Sequence, residues 1–182
     1  MIQILGISGS LRKASYNTAL LRAASALVPD GISIQIFDLN PLPLYNDDLA
    51  KDGIPAPVND FRNSIKQSDG LLIASPEYNY SLTGVLKNAI DWASTDTLGN
   101  LLAGKPTAIM GASPSVFGTT RGQLHLRQIL HAANANVVRR PEIAIRRAQT
   151  VIDEHENLND DYASNKIRSL LDTLTDEIKT AN

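Results

Sequence analysis

MIQILGISGSLRKASYN, residues Met1 to Asn17, decides how the chain folds. Ile2, Ile4, Leu5 and Ile7 form a short apolar run of strand composition. Gly6 to Arg12 turns out of that run, and Ser15-Tyr16-Asn17-Thr18-Ala19-Leu20-Leu21 starts a helix with Ser15 as its N-cap. A strand, a turn of small residues and a helix N-terminus together make a phosphate seat. The first N–H groups of the helix lack internal partners and the helix dipole favours negative charge there. Gly9 is expected to let the backbone approach a ligand closely. Ser10 and Ser15 offer hydroxyls, Asn17 an amide and Arg12 a charged fork. No Gly-Lys-Ser/Thr is present, so this is not the loop that handles a transferred nucleotide phosphate. The spacing of Gly6 and Gly9, with no third glycine opening the helix, also departs from the dinucleotide fingerprint. Hydroxyls in place of lysine suit a phosphate that is bound and kept.

Working outward, strand-like and helix-like stretches alternate. Tyr16 to Val28 has helical spacing, and Pro29-Asp30-Gly31 breaks it. Ile32, Ile34 and Ile36 alternate with polar residues, as a strand at or near a sheet edge does. The stretch 38–57 carries prolines and apolar side chains and reads as a packed loop, followed by a helix over Val58 to Ser68. Leu71-Leu72-Ile73-Ala74 is an uninterrupted apolar run, the mark of a central parallel strand buried on both faces. A helix follows from about Thr83 to Ala93, then a strand over 107–112 and a helix over Leu124 to Ala133. Val137-Val138 and Ile143-Ala144-Ile145 straddle Pro141 as an interrupted fifth strand, and Asp160 to Lys179 closes as a helix. This alternation predicts a single α/β domain over residues 1–182, with a five-stranded parallel sheet in the order 2-1-3-4-5 and helices on both faces.

Composition narrows the partners. A net charge of -2 argues against a nucleic-acid backbone as ligand. The absence of cysteine removes disulfides, thiolate metal sites and cysteine nucleophiles. His125 and His131 are six apart on one helix and do not share a face, so no metal pair is expected. No apolar run is long enough for a membrane span and none reads as a signal peptide, which makes a cytoplasmic protein the expectation. A serine hydrolase would want a Gly-x-Ser-x-Gly elbow, which Gly6 to Ser10 misses by one residue.

Ligands in such sheets sit beyond the carboxyl ends of the strands. Three loops rich in Gly, Ser, Pro and Tyr fall there: 8–15, 75–82 and 112–121. The first offers the phosphate end. The second, Pro76-Glu77-Tyr78-Asn79-Tyr80, offers an aromatic ring flanked by backbone and amide groups, as a flat heterocycle requires. The third, Ser113 to Gly118, is small enough for a ring to lie against backbone. Phosphate at the first strand and ring at the third and fourth describe a flavin mononucleotide (FMN).

Gly9 to Asn17, Pro76-Glu77-Tyr78-Asn79 and Leu86-Lys87-Asn88-Ala89-Ile90-Asp91-Trp92 together resemble the NAD(P)H-dependent FMN reductase family, most of all its bacterial quinone and chromate reductases. The resemblance runs from Ile2 to about Ile145. It implies a flavodoxin-like three-layer fold, tightly held FMN, NADPH or NADH as hydride donor, and a homodimer or homotetramer. It implies that Ser10, Arg12, Ser15 and Asn17 hold the FMN phosphate. Pro76, Glu77, Tyr78 and Asn79 would line the isoalloxazine, Glu77 through its backbone, with Ser113 closing the far side. No side chain is expected to act as a catalytic acid or base, because the cofactor carries the hydride. The implied activity is ping-pong reduction of quinones and similar small acceptors. The rival readings are a flavodoxin-type electron carrier with no nicotinamide reaction, for which -2 is a weak charge, a receiver-like regulatory domain and a dinucleotide-binding protein. Trp92 is expected in the core or a subunit interface, and Lys87 with Asp91 as a surface pair.

Overall fold

The structure, a computed structural model, describes residues 1–181. Its elements alternate as the sequence predicts. They are β1 (Ile2–Ser8), α1 (Tyr16–Leu27), β2 (Ile32–Phe37), α2 (Asp47–Asp52), α3 (Ala56–Gln67), β3 (Gly70–Ala74), α4 (Gly84–Ser94), β4 (Pro106–Ala112), α5 (Thr120–Ala132), β5 (Asn136–Val137), β6 (Ile143–Ile145) and α6 (Asp161–Ala181). The strands form one parallel sheet in the order β2-β1-β3-β4-β5. The interrupted fifth strand is two short pieces. β5 pairs with the start of β4 and β6 with its end, Met110 facing Ile143.

Side-chain alternation builds a core on each face of the sheet. Ile4 of β1 and Leu72 of β3 point into one layer, against Leu20 and Leu21 of α1 and Ile167, Leu170 and Leu174 of α6. Leu5, Ile7, Leu71 and Ile73 point into the other, against Phe61 and Ile65 of α3, Leu86 and Ile90 of α4, and Leu126 and Leu130 of α5. Every residue of β3 and β4 is buried, as expected of strands covered on both sides. The β2 strand alternates half-buried isoleucines with exposed Ser33 and Gln35, and it is the sheet edge.

The 38–57 excursion is packed, and it holds a short helix, α2, that its sequence does not announce. Residues of the third motif anchor it. Trp92 is fully buried and donates its indole N–H to the Pro43 carbonyl at 2.8 Å. Asn88 donates to the same carbonyl at 2.9 Å and accepts the Tyr45 N–H at 2.7 Å. Arg62 of α3 sits beneath, 3 % exposed, donating to the carbonyls of Trp92, Leu98 and Gly99 at 2.6–2.8 Å. These contacts satisfy acceptors in the last turn of α4 and in the loop after it, and burial holds the guanidinium below its usual pKa. Lys87 and Asp91 form the expected exposed i,i+4 pair at 2.6 Å. Among the described residues no helix is long and apolar enough to cross a membrane. Nor does any group of three or more His, Cys, Asp or Glu come together to hold a metal.

Candidate active site

The three loops leave the carboxyl ends of β1, β3 and β4, which are consecutive neighbours in the sheet. Gly9 fixes how the first two meet. Its N–H donates to Ala74 at 2.8 Å and its carbonyl accepts the Thr83 hydroxyl at 2.7 Å. A Cβ at Gly9 would lie 2.9 Å from Ser75 Oγ and 3.2 Å from Thr83 Oγ1. Glycine is therefore needed here for contact between loops, a reason the sequence reading had placed at the ligand.

Beyond Gly9 the first loop leaves its donors unspent. Among the described residues the N–H groups of Leu11, Lys13, Ala14 and Tyr16 find no hydrogen-bond partner. Ser15 is the N-cap of α1, accepting from the N–H groups of Asn17 and Thr18 at 3.2 and 3.3 Å. Both bonds use its oxygen, so its own proton is free to donate. Ser10 is half-buried and Arg12 exposed, with no carboxylate in contact with the guanidinium. Asn17 is placed differently. Its side chain, 3 % exposed, donates to the Ala112 carbonyl at 3.0 Å and accepts the Ala112 N–H at 2.9 Å, locking α1 to the end of β4.

A cavity of about 310 Å³ opens beside this loop, between Arg12, Ser15 and Tyr16 on one wall and Gln149, Asp153 and Glu154 on another. Carboxylates on its wall make it a poor seat for a phosphate.

In the second loop Ser75 and Pro76 are buried, and Tyr78 pairs with Ser81 across a two-residue turn. Asn79 and Tyr80, at φ +50° and +67°, take the left-handed backbone that such a turn requires. Tyr78 is 51 % exposed and Tyr80 64 %. Among the described residues the N–H groups of Glu77, Asn79 and Tyr80 find no hydrogen-bond partner. They are donors held beside an open aromatic.

The Glu77 side chain turns the other way. It is 5 % exposed and accepts the N–H groups of Arg121 and Gly122 at 2.9 and 3.0 Å. The Arg121 guanidinium completes a fork, Nε at 2.7 Å and Nη2 at 2.5 Å from Glu77 Oε1. Glu77 is thus the cap of α5, whose own N-cap residue Thr119 supplies no side-chain bond. Arg121 in turn lies 3.8 Å from the Tyr80 ring centroid and 4.7 Å from that of Phe117. Sequence reasoning missed Arg121 and started this helix late, at Leu124. The cap lies 44 residues away, so nothing local marks the start at Thr120.

The third loop is zipped to the segment after β6. Ser113 N–H donates to Ile145, Ala148 N–H to Ser113, and Arg147 N–H to Ser115. Ser113 is half-buried with its hydroxyl 3.2 Å from that of Ser115. The structure therefore brings Ser10, Arg12 and Ser15 to one loop, and Pro76 to Asn79 to its neighbour, with Ser113 on the next. Asn17 stands behind them.

The chain matches the family model described as NADPH-dependent FMN reductase over residues 2–150. The chain belongs to the NADPH-dependent FMN reductase family. It is 49 % identical, over 95 % of its own length and 93 % of the relative's, to an NAD(P)H-dependent FMN reductase of Pseudomonas aeruginosa. An NADPH:quinone oxidoreductase of Arabidopsis thaliana is 40 % identical, over 94 % of this chain and 89 % of that one. Among solved structures, the flavoenzyme NAD(P)H:(acceptor) oxidoreductase FerB of Paracoccus denitrificans superposes with a TM-score of 0.90 at 31 % identity, covering 100 % of this chain and 99 % of that one. Membership makes this chain an oxidoreductase of the flavodoxin-like fold, with FMN as cofactor and NAD(P)H as hydride donor. The residues present fit FMN: unpaired N–H groups and a capping serine suit its phosphate, and unpaired N–H groups beside Tyr78 suit the acceptor-rich edge of its ring.

Proposed function

We propose that this chain reduces quinones and similar small electrophiles with electrons from NADPH or NADH, held in one place in turn by an FMN-loaded site. The observation that carries the reading is the pair of unspent donor sets, at Leu11, Lys13, Ala14 and Tyr16 and at Glu77, Asn79 and Tyr80, on adjacent loops. When bound, FMN accepts hydride from the nicotinamide and supplies electrons to the acceptor. The chain's own residues position and exclude. Ser10, Arg12 and Ser15 hold the phosphate, with Ser15 donating the proton its capping bonds leave free. Asn17 serves the same seat by holding α1 against β4. Pro76, Glu77, Tyr78 and Asn79 line the ring, Glu77 through its backbone because its carboxylate is committed to α5. Ser113 closes the far side. No side chain in this set is required as an acid or base.

The quinone assignment is supported by the Arabidopsis relative, an NADPH:quinone oxidoreductase. The chain acts as one domain, as a homodimer or homotetramer, in the cytoplasm, where the lack of cysteine suits a reducing compartment. The test is anaerobic mixing of FMN-loaded protein with NADPH and then with benzoquinone. Flavin absorbance that bleaches and returns within seconds, with parallel double-reciprocal lines in steady state, supports the reading. Flavin that ignores both nicotinamides makes the protein an electron carrier.

A further inference from the structure

The family resemblance uses only the backbone of Glu77, and its carboxylate is fully committed elsewhere, accepting from two N–H groups and a guanidinium fork. We propose that Glu77 is a positioning residue whose charge, set against Arg121 and the N-terminus of α5, holds down the reduction potential of the flavin its own backbone lines. The inference rests on the FMN reading above. One carboxylate, 5 % exposed, meets two helix N–H groups and a guanidinium fork. It thereby cancels two positive features at once: the Arg121 cation and the positive end of the α5 dipole. Both lie directly behind the loop whose N–H groups at Glu77, Asn79 and Tyr80 remain free. Packing leaves no slack. A Cβ at Gly122 would sit 3.0 Å from the Ser81 carbonyl and 3.4 Å from the Glu77 Cβ, so loop two packs directly against the start of α5. Arg121 is also flanked by the rings of Tyr80 and Phe117, 3.8 and 4.7 Å from their centroids.

Reduced FMN carries more negative charge than oxidised FMN. With Glu77 ionised, the loop presents N–H donors without a net fixed cation behind them. Neutralising Glu77 exposes the cation and the helix end to the ring, and the reduced form gains. Neutralising Arg121 leaves the carboxylate dominant, and the reduced form loses. Opposite shifts from the two members of one contact separate this role from a merely structural one, which would lower stability in both variants and leave the potential alone.

The experiment is redox titration of FMN-loaded wild type, Glu77→Gln and Arg121→Met, with FMN affinity for each measured separately. Glu77→Gln should bind reduced relative to oxidised FMN about tenfold better than wild type, which raises a two-electron midpoint by about 30 mV. Arg121→Met should shift it the other way. Midpoints that do not move, or that move together, overturn the proposal even where thermal stability falls. Should wild type bind no FMN, the functional reading itself fails and this inference goes with it.

Discussion

Asn17 should stabilise the empty protein before any ligand arrives. In Asn17→Ala the Ala112 N–H and C=O each lose their partner, at 2.9 and 3.0 Å, in a place where the residue is 3 % exposed and Ala112 buried. A buried backbone group left unpaired costs about 1–3 kcal/mol. Two such groups, with some relief from entering water, give about 3 kcal/mol, a large share of the ~5–15 kcal/mol that holds a domain together. For a chain of this size that corresponds to a fall in Tm of roughly 6–12 °C. Asn17→Asp is the sharper variant, since it keeps the acceptor for the Ala112 N–H but sets a carboxylate oxygen against the Ala112 carbonyl. Its destabilisation should be at least as large at neutral pH. Differential scanning calorimetry of FMN-free protein is the assay, because it reports the α1–β4 lock without any ligand contribution. An Asn17→Ala protein that melts within about 1 °C of wild type would refute the reasoning and return Asn17 to a purely ligand-facing role.

Ser15→Ala removes a helix cap and a phosphate donor together. It should cost about 1 kcal/mol in the FMN-free protein by urea unfolding, and FMN affinity should fall about tenfold, or ~1.4 kcal/mol, by fluorescence titration. Gly111→Ala places a methyl group 2.6 Å from the Ser75 carbonyl and against Thr119. It should destabilise by about 1–3 kcal/mol and weaken FMN binding further, because loops two and three meet there. Arg62→Met strips the buried carbonyl of Trp92 and the part-buried ones of Leu98 and Gly99 of their charged donor. A loss of about 2–4 kcal/mol in urea is expected, with FMN affinity nearly unchanged since the contacts lie under the excursion. Lys87→Ala, by contrast, breaks an exposed pair and should change stability by no more than about 0.5 kcal/mol in the same titration.

The features that local chemistry determines are the ones the sequence discloses. The apolar runs of β1, β3 and β4, the alternation in β2 and the helical spacing of α6 each follow from what a residue and its near neighbours must bury. Loop placement then follows from the strand order. The Ser15 cap is also local, since donor and acceptor are two and three residues apart. Contacts between distant segments leave no such trace. Asn17 reads as a ligand amide because its partner, Ala112, is 95 residues on. Glu77 reads as a loop acid because the helix it caps begins far downstream. The short helix α2 is hidden because its one buried residue, Ala50, packs on Trp92 and Val58 of other elements, while its own sequence is polar and brief.

The central claim is that the loop from Gly9 to Ser15 seats a phosphate, with its unpaired N–H groups as the donors. Titrating FMN-free protein with FMN and with riboflavin, which differ in that phosphate alone, tests it most directly. FMN should bind at least about 100-fold tighter, some 2.7 kcal/mol, with the gap shrinking in Ser15→Ala. Equal affinity for the two, or no binding of either, would contradict it.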